Sequence, residues 1–142
     1  MWAFQLQSAI AKIFSRTGYP VHVPNTVVPA YSAAMHAKYE VTQMAMELNP
    51  FRTRFFCWLD VGLFRDLSPS GVNGSCFSLG LPPKLDIDAV AYTEVSRPNS
   101  NLSVRQIVSE DRFWVCGCFF VGRIEVLQVW IREYMVGHEC TS

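Results

Sequence analysis

Between Arg54 and Gly62 the chain reads "RFFCWLDVG": five apolar residues, Phe55 to Leu59, then a carboxylate at Asp60 and a glycine at Gly62. A run this short and this continuously apolar reads as a strand covered on both faces, because a half-exposed strand would alternate. A second run, "RFWVCGCFFVGR", has the same character, with Gly117 in its middle and Gly122 near its end. A long helix, a short turn and a buried strand in this order point to an α/β sheet. At 142 residues, half of them apolar, it has enough material for one domain with a core and too little for two.

The helical periodicities lie where that architecture needs them. Residues 2–16 carry Trp2, Leu6, Ile10 and Ile13 along one stripe, with Gly18 as a stop. "YPVHVPNTVVPAYS" follows, and its three prolines predict a loop or an edge path. A long helix is predicted from an N-cap at Ser32 to Asn49, ahead of Pro50. Its apolar stripe is Ala34, Ala37, Val41, Ala45 and Leu48, with Lys38, Thr42 and Glu47 turned away. Ser68 to Pro83 is rich in Ser, Gly and Pro and reads as a long loop. "AVAYTEV", Ala89 to Val95, alternates like a strand, and a short helix capped by Ser103 follows. A final helix from Ile124 to Met135 places Ile124, Leu127, Ile131 and Met135 on one face and stops at Gly137.

Charge and cysteine usage exclude several classes. Twelve basic residues balance twelve acidic ones and no Lys/Arg cluster tracks a phosphate backbone, so nucleic acid is not the expected partner. No apolar stretch reaches the roughly 20 residues that span a bilayer. The opening "MWAFQLQSAIAKIF" lacks the basic region of a signal peptide, while sequons at Asn73 and Asn101 permit a secretory lumen. The five cysteines, Cys57, Cys76, Cys116, Cys118 and Cys140, fit neither a disulfide framework nor a zinc site. They read as small buried thiols, the alternative being one disulfide involving Cys76 or Cys140.

Asp60 is the candidate for chemistry. In open α/β sheets ligands bind beyond the carboxyl ends of strands, which is where Asp60 stands. A carboxylate there suits Mg²⁺ or Mn²⁺, and Gly62 would admit a diphosphate or sugar close to the backbone. The competing reading makes Asp60 the cap of the turn into "LFRDL". Glu94 ends the "AVAYTE" strand and is a second carboxylate at the same edge, a general base if an acceptor hydroxyl comes within reach. Lys38 reads as a solvated helix lysine and His36 as a surface or interhelix residue, while Trp58, Trp114, Phe119 and Phe120 read as core. His22, His36 and His138 are scattered, which leaves a metal-dependent hydrolase without a ligand cluster.

"SAAMHAKYEVTQMAMELNPFRTRFFCWLDVGLFRDL" together with "DRFWVCGCFFVGRIEVLQVWIREY" resembles the HtrL/YibB (WlaTC/HtrL-like) family, from about Val27 to Gly137. That family is regarded as glycosyltransferase-like with a GT-A fold, a mixed sheet flanked by helices. The resemblance implies a sugar nucleotide and a glycan or other acceptor as partners, with Mn²⁺ or Mg²⁺ as the implied cofactor. It implies that Asp60 holds the first position of an Asp-x-Asp motif and is catalytic and metal-binding, and that Lys38 faces the diphosphate. Gly62 stands at the second acidic position, with Asp66 four residues on as the nearest substitute. Gly117 and Gly122 would line donor and acceptor. No βαβ half precedes this region, so residues 27–142 are expected to be a partial GT-A-like domain after an N-terminal helix and linker, 1–26. Two functions follow: transfer of a sugar from a nucleotide donor, or a truncated, non-catalytic binding or scaffold module.

Overall fold

The computed structural model describes residues 1–62, 80–81 and 83–139. In chain order the elements are α1 (Trp2–Gln5), α2 (Gln7–Phe14), α3 (Pro29–Leu48), β1 (Phe55–Leu59), β2 (Ala91–Glu94), α4 (Val104–Ser109), β3 (Val115–Arg123) and α5 (Ile124–Glu139). The α/β class is as expected. The mixed sheet is corrected: among the described residues it has three strands in the order β1-β3-β2, antiparallel at both pairings. The expected 68–83 loop, with Asn73 and Cys76, lies mostly outside the described residues, as does Asp66.

β3 is the middle strand because it is the longest apolar run. Phe56 pairs with Gly122 and Leu59 with Phe119 on one side, and Ala91 pairs with Val121 on the other. Alternation sends Phe56, Trp58, Tyr92 and Phe120 to one face, where α3 and α5 cover them. Met46, Phe120, Leu127 and Ile131 form the buried centre. Tyr39 packs edge-on against Trp130 and face-on against Phe120. The α5 stripe of Ile124, Leu127, Ile131 and Met135 is the face that packs here, although the helix runs past Gly137 to Glu139.

The long helix differs from expectation at its start and in its rotation. It begins at Pro29, whose fixed φ suits the first helical position, and Val28 before it is extended, as a residue preceding proline prefers. Its buried face is Ala33, Ala37, Lys38, Thr42 and Met46. Of the predicted stripe only Ala37 is on it; Val41 is 40% and Leu48 77% exposed. Two polar residues take apolar positions because their polar atoms are satisfied: Thr42 Oγ1 donates to the Lys38 carbonyl at 2.7 Å, and the Lys38 ammonium has the partners described below.

The turn after α3 aims β1. Asn49 ends the helix with φ 28°, and its side chain accepts from Thr53 N at 2.9 Å and donates to Thr53 O at 3.1 Å. The helices α1 and α2 also pack on α3, and Glu40 of α3 accepts hydrogen bonds from the amides of Trp2 and Ala3. A carboxylate so placed satisfies orphan donors of α1 and complements its dipole. The Ser103 cap is present as a full capping box with Gln106.

Candidate functional site

The site is built where β1 ends and β3 begins. Period two puts Trp58 and Asp60 on the same face, the one turned toward α3. The Asp60 amide donates to the Cys118 carbonyl at 2.8 Å, carrying the β1–β3 ladder one residue past Leu59. On its other edge β3 departs from β2: Tyr92 pairs with Phe120, but Thr93 pairs with Cys116. Residues 117–119 therefore bulge, which leaves the Gly117 carbonyl without a strand partner on β2.

Lys38 fills that gap. Its Nζ donates to Gly117 O at 2.7 Å and stands 3.5 Å from Asp60 Oδ2. The Trp58 ring centroid is 5.8 Å away, inside cation–π range. Asp60 Oδ1 accepts from Trp58 Nε1 at 2.6 Å. Lys38 is 3% exposed and Asp60 33%, so the ammonium is sealed in and the carboxylate faces water. A buried cation is tolerated only when paired and hydrogen-bonded, and here both conditions are met.

This arrangement corrects two expectations. Lys38 is a buried, inward-facing lysine, neither a solvated helix residue nor one open to a diphosphate. Asp60 is held by two side chains, Lys38 and Trp58, and the turn that it would cap, into residues 63–67, lies outside the described residues.

The other predicted residues divide. Gly117 is in the cluster; a Cβ there would lie 3.6 Å from Lys38 Nζ. Gly62 is exposed just past β1. Glu94 is exposed opposite Val115 on β2, at the same end of the sheet as Asp60 but two strand spacings across, about 10 Å. Gly122 is elsewhere: it pairs with Phe56, and a Cβ there would meet Leu127 Cγ at 3.1 Å. Its hydrogen side chain admits Leu127 of α5 to the sheet, and it stands apart from the Lys38–Asp60 cluster.

Two participants were not legible as such. Trp58 read as core, yet its indole fixes Asp60; the i, i+2 spacing was the available signal. Cys116 and Cys118 form a disulfide with each other, which corrects the buried-thiol reading for these two; Cys76 and Cys140 lie outside the described residues. Cys57 is free and exposed. A groove of about 520 Å³ lined by residues including Asp88, Tyr92, Glu125, Trp130 and Glu133 lies between β2 and α5 and includes none of the predicted site residues.

The described donors alone do not make a metal cage, and Asp66 lies outside the described residues. Among the described residues no three His, Cys, Asp or Glu side chains gather, and the Asp60 charge is already matched by Lys38. The arrangement can hold a fixed hydrogen-bond acceptor at the sheet edge. No helix among the described residues is long and apolar enough to cross a membrane.

No family model, no curated protein and no solved structure matches the chain.

Proposed function

We propose that the chain is a glycosyltransferase-like domain that binds a nucleotide sugar through Asp60. The observation that carries the reading is the convergence of Lys38, Asp60 and Gly117, three residues that the HtrL/YibB resemblance singles out from segments far apart in sequence. An antiparallel three-stranded sheet is not typical of a GT-A fold, so support comes from the residue run and the site rather than the sheet.

The roles change from those the resemblance implies. Lys38 is a positioning residue: buried, it keeps Asp60 oriented, while Trp58 fixes the carboxylate plane. Asp60 keeps open lone pairs toward water and accepts hydrogen bonds from donor hydroxyls. Glu94 is the second carboxylate at the edge, available to an acceptor hydroxyl. No step is routed through Mn²⁺ or Mg²⁺.

Titration calorimetry with UDP and GDP sugars, with and without Mn²⁺, tests this on wild type and Asp60→Asn. Binding that weakens at least about tenfold in Asp60→Asn is expected, the loss of one charged hydrogen-bond acceptor. No binding, or binding indifferent to Asp60, overturns it.

A second reading is a non-catalytic binding or scaffold module. It is favoured by one observation: both Asp60 oxygens are engaged and Lys38 is sealed, as a purely structural lock requires. Asp60→Asn would then lower stability with no nucleotide-sugar binding to lose.

A further inference from the structure

We infer that Cys116–Cys118 is a thiol–disulfide exchange site, opened by a dithiol partner in the folded protein, and that its state sets the Gly117 carbonyl on which Lys38 rests. The disulfide and the Lys38 contact share one residue. Gly117 is the single residue between the two cysteines, and its carbonyl takes the Lys38 hydrogen bond.

The bridge shapes the strand locally. Alternate Cα atoms of an ordinary strand stand about 6.6 Å apart. Those of Cys116 and Cys118 are 5.1 Å apart. The chain is thus drawn together where residues 117–119 leave the β2 ladder. Opening the bond lets this stretch relax toward strand spacing and carries the Gly117 carbonyl away from Lys38 Nζ.

Its span makes the bridge dispensable to the fold. A disulfide stabilises mainly by closing a loop in the unfolded chain, and this one closes over a single intervening residue. The core of Met46, Phe120, Leu127 and Ile131 and the β1–β3 ladder do not depend on it. Both cysteines are partly exposed, so a reductant reaches them.

The chemistry balances with a dithiol. One reductant thiolate attacks a sulfur of the Cys116–Cys118 bond, forms a mixed disulfide and expels the other sulfur as thiolate, which takes a proton. The second reductant thiolate then attacks the mixed disulfide and releases the remaining cysteine, which is protonated. The reductant ends as its own disulfide, and the protein gains two electrons and two protons.

The full chain, purified without reductant, is alkylated with iodoacetamide before and after dithiothreitol, and the tryptic peptide 113–123 is weighed. The expected result is no label before, two labels after, and an unchanged far-ultraviolet circular dichroism spectrum. The Trp58 indole N–H resonance, assigned with Trp58→Phe, should shift on reduction, since its Asp60 acceptor is held by Lys38. The Cys116→Ser/Cys118→Ser double variant should show the same shift with no reductant. Immediate labelling, labelling only with loss of the dichroism signal, or an unmoved Trp58 resonance overturns the inference.

Discussion

Lys38 Nζ, 3% exposed, stands 3.5 Å from Asp60 Oδ2, whose side chain is one-third open to water. The two ends of this ion pair are unequal, so removing them should be unequal too. Asp60→Ala leaves a sealed ammonium with the Gly117 carbonyl as its remaining strong acceptor, and should cost about 2–3 kcal/mol, less than a fully buried pair. Lys38→Met keeps the methylene packing and leaves Asp60 free to hydrate, at about 1 kcal/mol or less. The double variant should be more stable than Asp60→Ala alone. Urea unfolding of the four proteins checks the order, and equal costs for the two single changes would refute it.

Much of this was readable in the sequence, and the exceptions have causes. The strands were legible because Phe55–Leu59 and Val115–Arg123 are continuously apolar. The stripe of α5 was legible because Leu127 and Ile131 have no polar rivals on their face. The rotation of α3 was not, because polarity alone sends Lys38 and Thr42 outward. What buries them is satisfaction by Asp60, Gly117 and a backbone carbonyl, partners at separations that no periodicity reports. Strand direction was likewise hidden, since a buried run reads the same whichever way its neighbour points.

Gly117 and Gly122 should respond oppositely to a methyl group. At Gly117 the new Cβ would meet Lys38 Nζ at 3.6 Å, an ordinary contact with the end of a flexible chain. At Gly122 it would meet Leu127 at 3.1 and 3.4 Å, and Leu127 is 0% exposed with no room to retreat. Gly122→Ala should therefore cost about 1–3 kcal/mol by overpacking, and Gly117→Ala less than about 1. Pairing Gly122→Ala with Leu127→Val should recover part of the loss in thermal melts. No recovery would place the clash elsewhere.

Glu40 ties the N-terminus to the body of the molecule. Its carboxylate accepts from Trp2 N at 2.9 Å and Ala3 N at 3.2 Å, across 38 and 37 residues. Glu40→Ala should lower stability by about 1 kcal/mol, the usual worth of a cap. Hydrogen exchange at residues 2–5 should accelerate while the amides of β3 stay protected. Uniform acceleration across the chain would mean the contact supports the whole fold rather than its end.

The aromatic cluster sets an alkaline limit. Burial, the largest cause, raises the hydroxyl pKa of Tyr39, Tyr92 and Tyr134 above the ordinary 10.0. The charge of Tyr39 raises Tyr92 and Tyr134 further, while a hydrogen bond from Tyr92 lowers Tyr39 in part. In the unfolded chain each hydroxyl ionises near 10.0. Above that pH the folded protein holds protons that the unfolded chain has lost, so unfolding becomes more favourable as pH rises. The stabilisation is complete below 10.0 and is lost progressively above it. Absorbance at the tyrosinate band should show these three of the five tyrosines ionising only together with loss of near-ultraviolet dichroism. Tyr134→Phe removes one of the three and should make the fall of Tm with pH shallower. A Tm that stays level from about pH 9 to about pH 11 would show that these phenols are solvated in the folded state.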